Sequence, residues 1–157
     1  MLKQVAGIIV HSTGVSGQSA GTVRDYFDAL KNQSKLFASA HYVVDKGGQI
    51  IQCIPETEIA YHAGADSYSK AVYEYLPSAP NYCTIGIEMC EDDGIITTEV
   101  QSTTQELIKQ LIKKYKIPLD AVLRHYDVTG KECPKHFVWD DHAWILFLEG
   151  CEPSVWD

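Results

Sequence analysis

Gly7-Ile8-Ile9-Val10-His11-Ser12-Thr13 is an apolar, β-branched run that ends in an imidazole. Its composition predicts a buried strand from Val5 to His11. Ala121-Val122-Leu123-Arg124-His125 repeats the device, again with a histidine where the strand pattern stops. After it, Tyr126-Asp127-Val128-Thr129-Gly130-Lys131-Glu132-Cys133-Pro134 brings a cysteine back through one short loop. Two imidazoles and one thiolate form a tripod suited to zinc, with a fourth position left open for water.

Outward from these two runs, strand and helix signals alternate. Thr22-Val23-Arg24-Asp25 resembles a capping box, and Val23, Tyr26, Phe27 and Leu30 follow at helical spacing. Ser39 to Asp45 and Gln49 to Ile54 predict a hairpin, turned at Lys46-Gly47-Gly48. Residues 55–83 are irregular and polar, a length typical of a binding loop. Thr84 to Glu91 predicts a strand. A long helix opens at Thr98-Glu99-Val100-Gln101 and cannot pass Pro118. A terminal helix is predicted from Trp139 to Leu148. This order implies an α/β fold, a mixed central sheet flanked by helices.

At 157 residues the length suits one domain, placed at 1–150, with 151–157 as a C-terminal tail or linker stub. The hydrophobic fraction of 45% suits a real core. A formal charge of −8 speaks against a duplex nucleic-acid partner and against adhesion to an anionic membrane. The longest apolar run, Ala143 to Leu148, is too short to span a bilayer, and the first residues lack the pattern of a secretory signal. Five cysteines without such a signal read as reduced, with Cys53 a small buried apolar residue.

A lone histidine after an apolar strand is more often structural than a ligand. His11 and His125 gain weight together with Cys133, because two strand ends of one sheet can converge. Lys131 beside Cys133 favours the thiolate that a metal needs. On the strand of Glu88, alternation puts Thr84, Gly86, Glu88 and Cys90 on one face and Ile85, Ile87 and Met89 on the core face. By pattern alone Glu88 reads first as a solvent-facing edge residue. The functional alternative is a general acid or base, with Gly86 leaving room for an approaching group. Two histidines and a cysteine also suit blue copper, but the helices, and Met1 and Met89 as the only thioethers, count against it.

The motifs Ile9-Val10-His11-Ser12-Thr13, Ser39-Ala40-His41-Tyr42-Val43-Val44-Asp45, Tyr61-His62-Ala63-Gly64, Thr84-Ile85-Gly86-Ile87-Glu88 and Arg124-His125-Tyr126-Asp127-Val128, with Lys131 and Cys133-Pro134, occur in order. Together they resemble the zinc-dependent N-acetylmuramoyl-L-alanine amidases of the peptidoglycan-recognition (amidase-2) family, phage and prophage endolysin branch. The resemblance covers residues 5 to about 149. It implies one Zn2+ per chain on His11, His125 and Cys133, with Glu88 and Lys131 catalytic. It places His62, Gly64 and His41 along the substrate groove and leaves His142 a structural role. Two positions depart from the family pattern. Ala40 stands where some members carry a proton-transferring tyrosine, and Tyr61 where tryptophan is usual. The implied substrate is bacterial peptidoglycan, cut by a monomer without nucleic-acid or membrane partners. The enzyme would be made in the cytoplasm without a signal peptide and act on the wall after release. The alternative is a recognition module that binds peptidoglycan without cutting it; the presence of Cys133, Glu88 and Lys131 favours the enzyme.

Overall fold

The computed structural model describes residues 1–2, 4–33 and 37–153. Its centre is a five-stranded sheet of order β3-β2-β4-β1-β5, with β1 Gly7–Ser16, β2 Tyr42–Val44, β3 Ile50–Gln52, β4 Thr84–Glu91 and β5 Val122–Arg124. Every pairing is parallel except that of β2 with β3, so the sheet is mixed as the sequence predicts. β1 does not stop at His11. It runs on to Ser16, with a register irregularity between Ser12 and Ser16.

Alternation sorts the sheet into two faces. Ile8, Val10, Ile85, Ile87 and Met89 meet the main core, together with Val100, Ile108 and Leu111 of α2 (Thr98–Tyr115) and Trp144 and Phe147 of α5 (Asp141–Glu149). Each such side chain fully removed from water contributes about 1.5–3 kcal/mol. On the opposite face, α1 (Ala20–Leu30) buries Ala20 and Val23 against Val43 and Cys90. Ala63, Val72 and Leu76, from the long 55–83 connection, cover Ile9 and Leu123. His11 and Glu88 lie in adjacent register on β1 and β4.

Local chemistry moves several boundaries. The cap of α1 is Ser19, not Thr22; its hydroxyl accepts the Thr22 N–H at 3.2 Å. The Asp45 carboxylate takes the Ala20 N–H at 3.0 Å and the turn N–H groups of Gly47 and Gln49. One buried side chain thus ties the hairpin turn to the start of α1, and the ladder between β2 and β3 is only three residues per strand. The terminal helix is split at Asp140 into α4 (Lys135–Trp139) and α5, and the Asp140 carboxylate caps the second piece through the Ala143 N–H at 3.0 Å. His125 opens a short helix, α3 (His125–Thr129). Cys151, expected to begin a tail, is fully buried in the main core and donates its S–H to the Phe147 carbonyl. Residues 154–157 of that expected tail lie outside the described residues. No helix among the described residues is long and apolar enough to cross a membrane.

Candidate active site

The three residues predicted as metal ligands converge. His11 Nδ1 lies 3.0 Å from His125 Nδ1 and 4.0 Å from Cys133 Sγ. All three ligand atoms fall within 4.8 Å of one another, and all three residues are buried. A tetrahedral zinc with the usual bond lengths needs N···N edges of about 3.3 Å and N···S edges of about 3.5 Å. The two separations from His11 Nδ1 differ from these by about 0.3 and 0.5 Å, while the third, His125 to Cys133, is bounded only by the 4.8 Å limit, so the donor set fits zinc by type and its atoms lie near enough to close on one ion.

Each ligand is placed by a different local device. His11 rides on β1 beside Glu88 of β4. His125 is placed where β5 becomes α3, fixed by Arg124, whose guanidinium and backbone N–H both bind Asp127. Arg124 also reaches the Phe137 carbonyl and Asp141, fastening α3, α4 and α5 to the sheet edge. Gly130, at φ 79°, ends α3 in the left-handed region and turns the chain toward Cys133. The Ser12 N–H donates to Cys133 Sγ at 3.4 Å.

Burial drives the imidazoles toward neutrality. It lowers His11 well below its ordinary value, reinforced by His62, His125 and Lys131. It lowers His62 to about 3, with His41 and His125 adding, and His125 to about 4, with Lys131 adding. Neutral imidazoles offer the lone pairs that metals need. Burial also pushes the Cys133 thiol up to about 12, aided by Glu88, while the Ser12 N–H and Lys131 pull the other way. The proposed help from Lys131 is therefore outweighed by desolvation, and the thiolate needs a cation beside it.

These residues line a groove of about 410 Å³ with Glu88, Lys131 and His62, walled by Tyr26, Phe27 and Tyr61. Glu88 is not an edge residue, because β4 is flanked by β1 and β2. Its Oε2 is buried without a hydrogen-bond partner. Burial raises its pKa to about 8; Lys131 opposes the shift and Glu91 adds to it. A carboxyl poised near neutrality can both accept and return a proton. Lys131 is exposed on the groove side.

Three expected groove residues are placed differently. His41 is fully buried, with the Gly86 N–H donating to its Nδ1 at 3.0 Å and its Nε2 3.1 Å from the Glu58 carbonyl. Both ring nitrogens serve the backbone, so His41 locks β2 to β4 and to the 53–58 segment and does not face the groove. Gly64 is exposed and is not among the groove-lining residues. His62 borders the groove, but its Nδ1 sits 3.0 Å from His11 Nε2, so its first contact is the His11 ring. The space left by Gly86 is taken by this imidazole, into which a Cβ at Gly86 would run. His142, expected to be structural, is exposed on α5. The sequence reading missed Asn81, whose buried carbonyl oxygen accepts the His62 and Ala63 N–H groups at 3.2 and 2.8 Å. It also passed over Thr84 as a functional residue, although alternation puts it on the Glu88 face.

Known proteins share this arrangement at the level of the whole fold. The N-acetylmuramoyl-L-alanine amidase CwlL of Bacillus licheniformis is 39% identical over 151 residues, 93% of this chain and 40% of that protein. BlyA of Bacillus subtilis, an amidase of the same description, is 34% identical over 93% of this chain and 41% of its own length. The chain thus spans about two fifths of the length of these curated relatives. Among solved structures, the catalytic domain of XlyA superposes with a TM-score of 0.74 at 31% identity, covering 95% of this chain and 87% of that one. A mutant endolysin from Bacillus subtilis gives the same score at 30% identity, over 95% and 86%. The family model described as N-acetylmuramoyl-L-alanine amidase matches residues 1–136, and the chain belongs to that family.

Proposed function

We propose that this domain hydrolyses the amide between the lactyl group of N-acetylmuramic acid and L-alanine in bacterial peptidoglycan. The observation that carries the reading is the convergence of His11, His125 and Cys133 at one end of a groove that also presents Glu88 and Lys131. One zinc ion per chain would be held by those three side chains, where it would lower the pKa of a water toward neutrality and polarise the scissile carbonyl. Glu88 accepts the proton as water adds to the carbonyl carbon and returns it to the departing L-alanine nitrogen. Its buried, unpartnered Oε2 and raised pKa suit that shuttle. The Lys131 ammonium faces the charge that develops on the carbonyl oxygen. Tyr26, Phe27 and Tyr61 give the groove apolar walls for sugar and peptide.

One chain supplies every residue of this site, so a monomer suffices. The domain acts at the cell wall and needs neither nucleic acid nor membrane. A recognition module that binds without cutting would have no need of the Cys133 thiolate or of a carboxyl tuned to about 8.

The test is digestion of purified peptidoglycan with parallel labelling of new amines and new reducing ends. Free L-alanine amino termini should rise while reducing ends stay flat. New reducing ends would identify a glycosidase instead. Amines confined to deeper stem-peptide residues would identify an endopeptidase, and binding with no new ends at all would identify a recognition module.

A further inference from the structure

The ligand histidine is the first member of a hydrogen-bond chain that runs away from the groove into the protein. His11 Nε2 lies 3.0 Å from His62 Nδ1, His62 Nε2 lies 3.2 Å from Thr84 Oγ1, and the Thr84 hydroxyl donates to the Pro80 carbonyl at 2.7 Å. The chain has a fixed direction, because its far end is a carbonyl, which can only accept. The one hydroxyl proton of Thr84 is committed to Pro80. Thr84 Oγ1 can then serve His62 only as an acceptor, so His62 carries its proton on Nε2. A neutral imidazole has one N–H, so His62 Nδ1 is a lone pair. That lone pair takes the proton of His11 Nε2, which leaves His11 Nδ1 bare, and this is the atom that faces His125 Nδ1 and Cys133 Sγ.

We infer that Thr84, which touches neither metal nor groove, is a positioning residue that sets the tautomer of the His11 ligand through His62. Thr84 is fully buried on the central strand β4, and its partner Pro80 begins the short helical turn Pro80–Tyr82 just before that strand. His62 cannot swing away, because its ring is seated on Gly86 and its backbone is held by Asn81. Without the Thr84 oxygen the His62 Nε2–H would be a buried donor with no partner. The alternative tautomer moves that proton to Nδ1, where it faces His11 Nε2. His11 must then place its own proton on Nδ1, the atom needed for the metal. Outer partners of this kind are typically worth 10–100-fold in metal affinity.

The inference rests on the metal reading of the preceding section, and its test separates the two. Zinc dissociation constants are measured by chelator competition for the wild type, Thr84→Val and Thr84→Ser. In parallel, ¹⁵N spectra of the metal-free proteins report which ring nitrogen of His11 and His62 carries the proton. Thr84→Val should weaken zinc roughly 10–100-fold and move the His11 proton from Nε2 to Nδ1, whereas Thr84→Ser should leave both as in the wild type. Urea unfolding of the metal-free variants shows that each folds. A purely structural threonine would lower stability without changing the tautomer or the zinc constant, and that result overturns the inference. So does a wild-type His11 protonated on Nδ1. A wild type that takes up no zinc overturns the metal reading instead, and the ¹⁵N spectra then still decide the direction of the hydrogen-bond chain.

Discussion

Glu88→Gln should make the protein more stable and the enzyme almost inactive. The carboxyl lies on the central strand with Oε2 buried and unpartnered, and burial raises its pKa from 4.5 to about 8. An acid whose folded pKa is raised opposes folding wherever the unfolded chain would ionise it. Below pH 4.5 both states are protonated and the opposition vanishes; it grows above 4.5 and reaches its full size beyond about 8. At 1.36 kcal/mol per unit, the interval from 4.5 to pH 7 corresponds to about 3 kcal/mol. The isosteric amide cannot ionise and escapes this cost. Urea unfolding of chelator-treated protein should therefore give equal stabilities near pH 4 and a widening advantage for the variant up to about pH 8. The same variant, loaded with zinc, should lose on the order of 10²–10⁴-fold in turnover on peptidoglycan. A stability difference that does not change with pH, or a variant less stable at pH 7, would refute the buried-carboxyl argument. Near-normal turnover would refute the proton-shuttle assignment.

Gly86→Ala should cost about 1–3 kcal/mol in urea unfolding, because the new Cβ overlaps the His62 ring inside the central strand. It should also weaken zinc binding by disturbing the His62–His11 contact, and an unchanged zinc constant would show that the contact does not position the ligand. Lys131→Ala should slow hydrolysis by roughly 10²–10³-fold while one zinc per chain is retained on elemental analysis; loss of zinc would assign Lys131 to ligand placement instead. Arg124 gives an internal control. Asp127→Ala should cost about 3 kcal/mol, since it strips a buried guanidinium of its bidentate partner, whose side chain is 28% exposed. Asp141→Ala, on the same arginine but 80% exposed, should cost less than about 1 kcal/mol. Equal losses on thermal unfolding would contradict this ranking by burial.

What the sequence made legible is what alternation and periodicity can carry. Ile8 and Val10 against Ile9 and His11 already separate the two faces of β1, and the spacing of Val100, Leu107, Ile108 and Leu111 already defines the buried stripe of α2. Alternation also puts Glu88 on the polar face of β4. It does not say whether that strand is central or at an edge, and this alone decides between a solvent residue and a buried acid. The answer comes from β1 and β2 pairing on either side, a long-range fact. His41 and His62 are equally polar in the sequence. They differ because one is bonded through both nitrogens to backbone groups and the other to the His11 imidazole and a hydroxyl. The start of α1 shifted for a similar reason. Ser19 and Thr22 are both good caps, and a distant carboxylate, Asp45, takes the Ala20 N–H beside the former. α3 is only five residues long, too short for any period to announce.

Topology explains why residues so far apart in the chain meet at one point. β4, β1 and β5 are adjacent and mutually parallel, so their C-terminal ends share one edge of the sheet. Val10 pairs with Arg124, and His11 with Glu88, so the residue that follows Arg124 arrives at the level of His11. In parallel sheets ligands gather where strands end and the chain leaves the sheet. Here β1 and β4 carry His11 and Glu88 side by side, though both strands run on past them, and His125 follows directly where β5 passes into α3. The single antiparallel strand, β3, sits at the far edge and carries none of them. Cys133 is the exception, supplied from a loop. Its position depends on the Arg124–Asp127 lock at the start of α3 and on the Gly130 turn at its end. The Tyr126 N–H donating to the Cys133 carbonyl closes that loop. Changes to the Gly130 turn should therefore loosen the thiolate while leaving His11 in register on β1, whereas changes to the Arg124–Asp127 lock should disturb His125 as well.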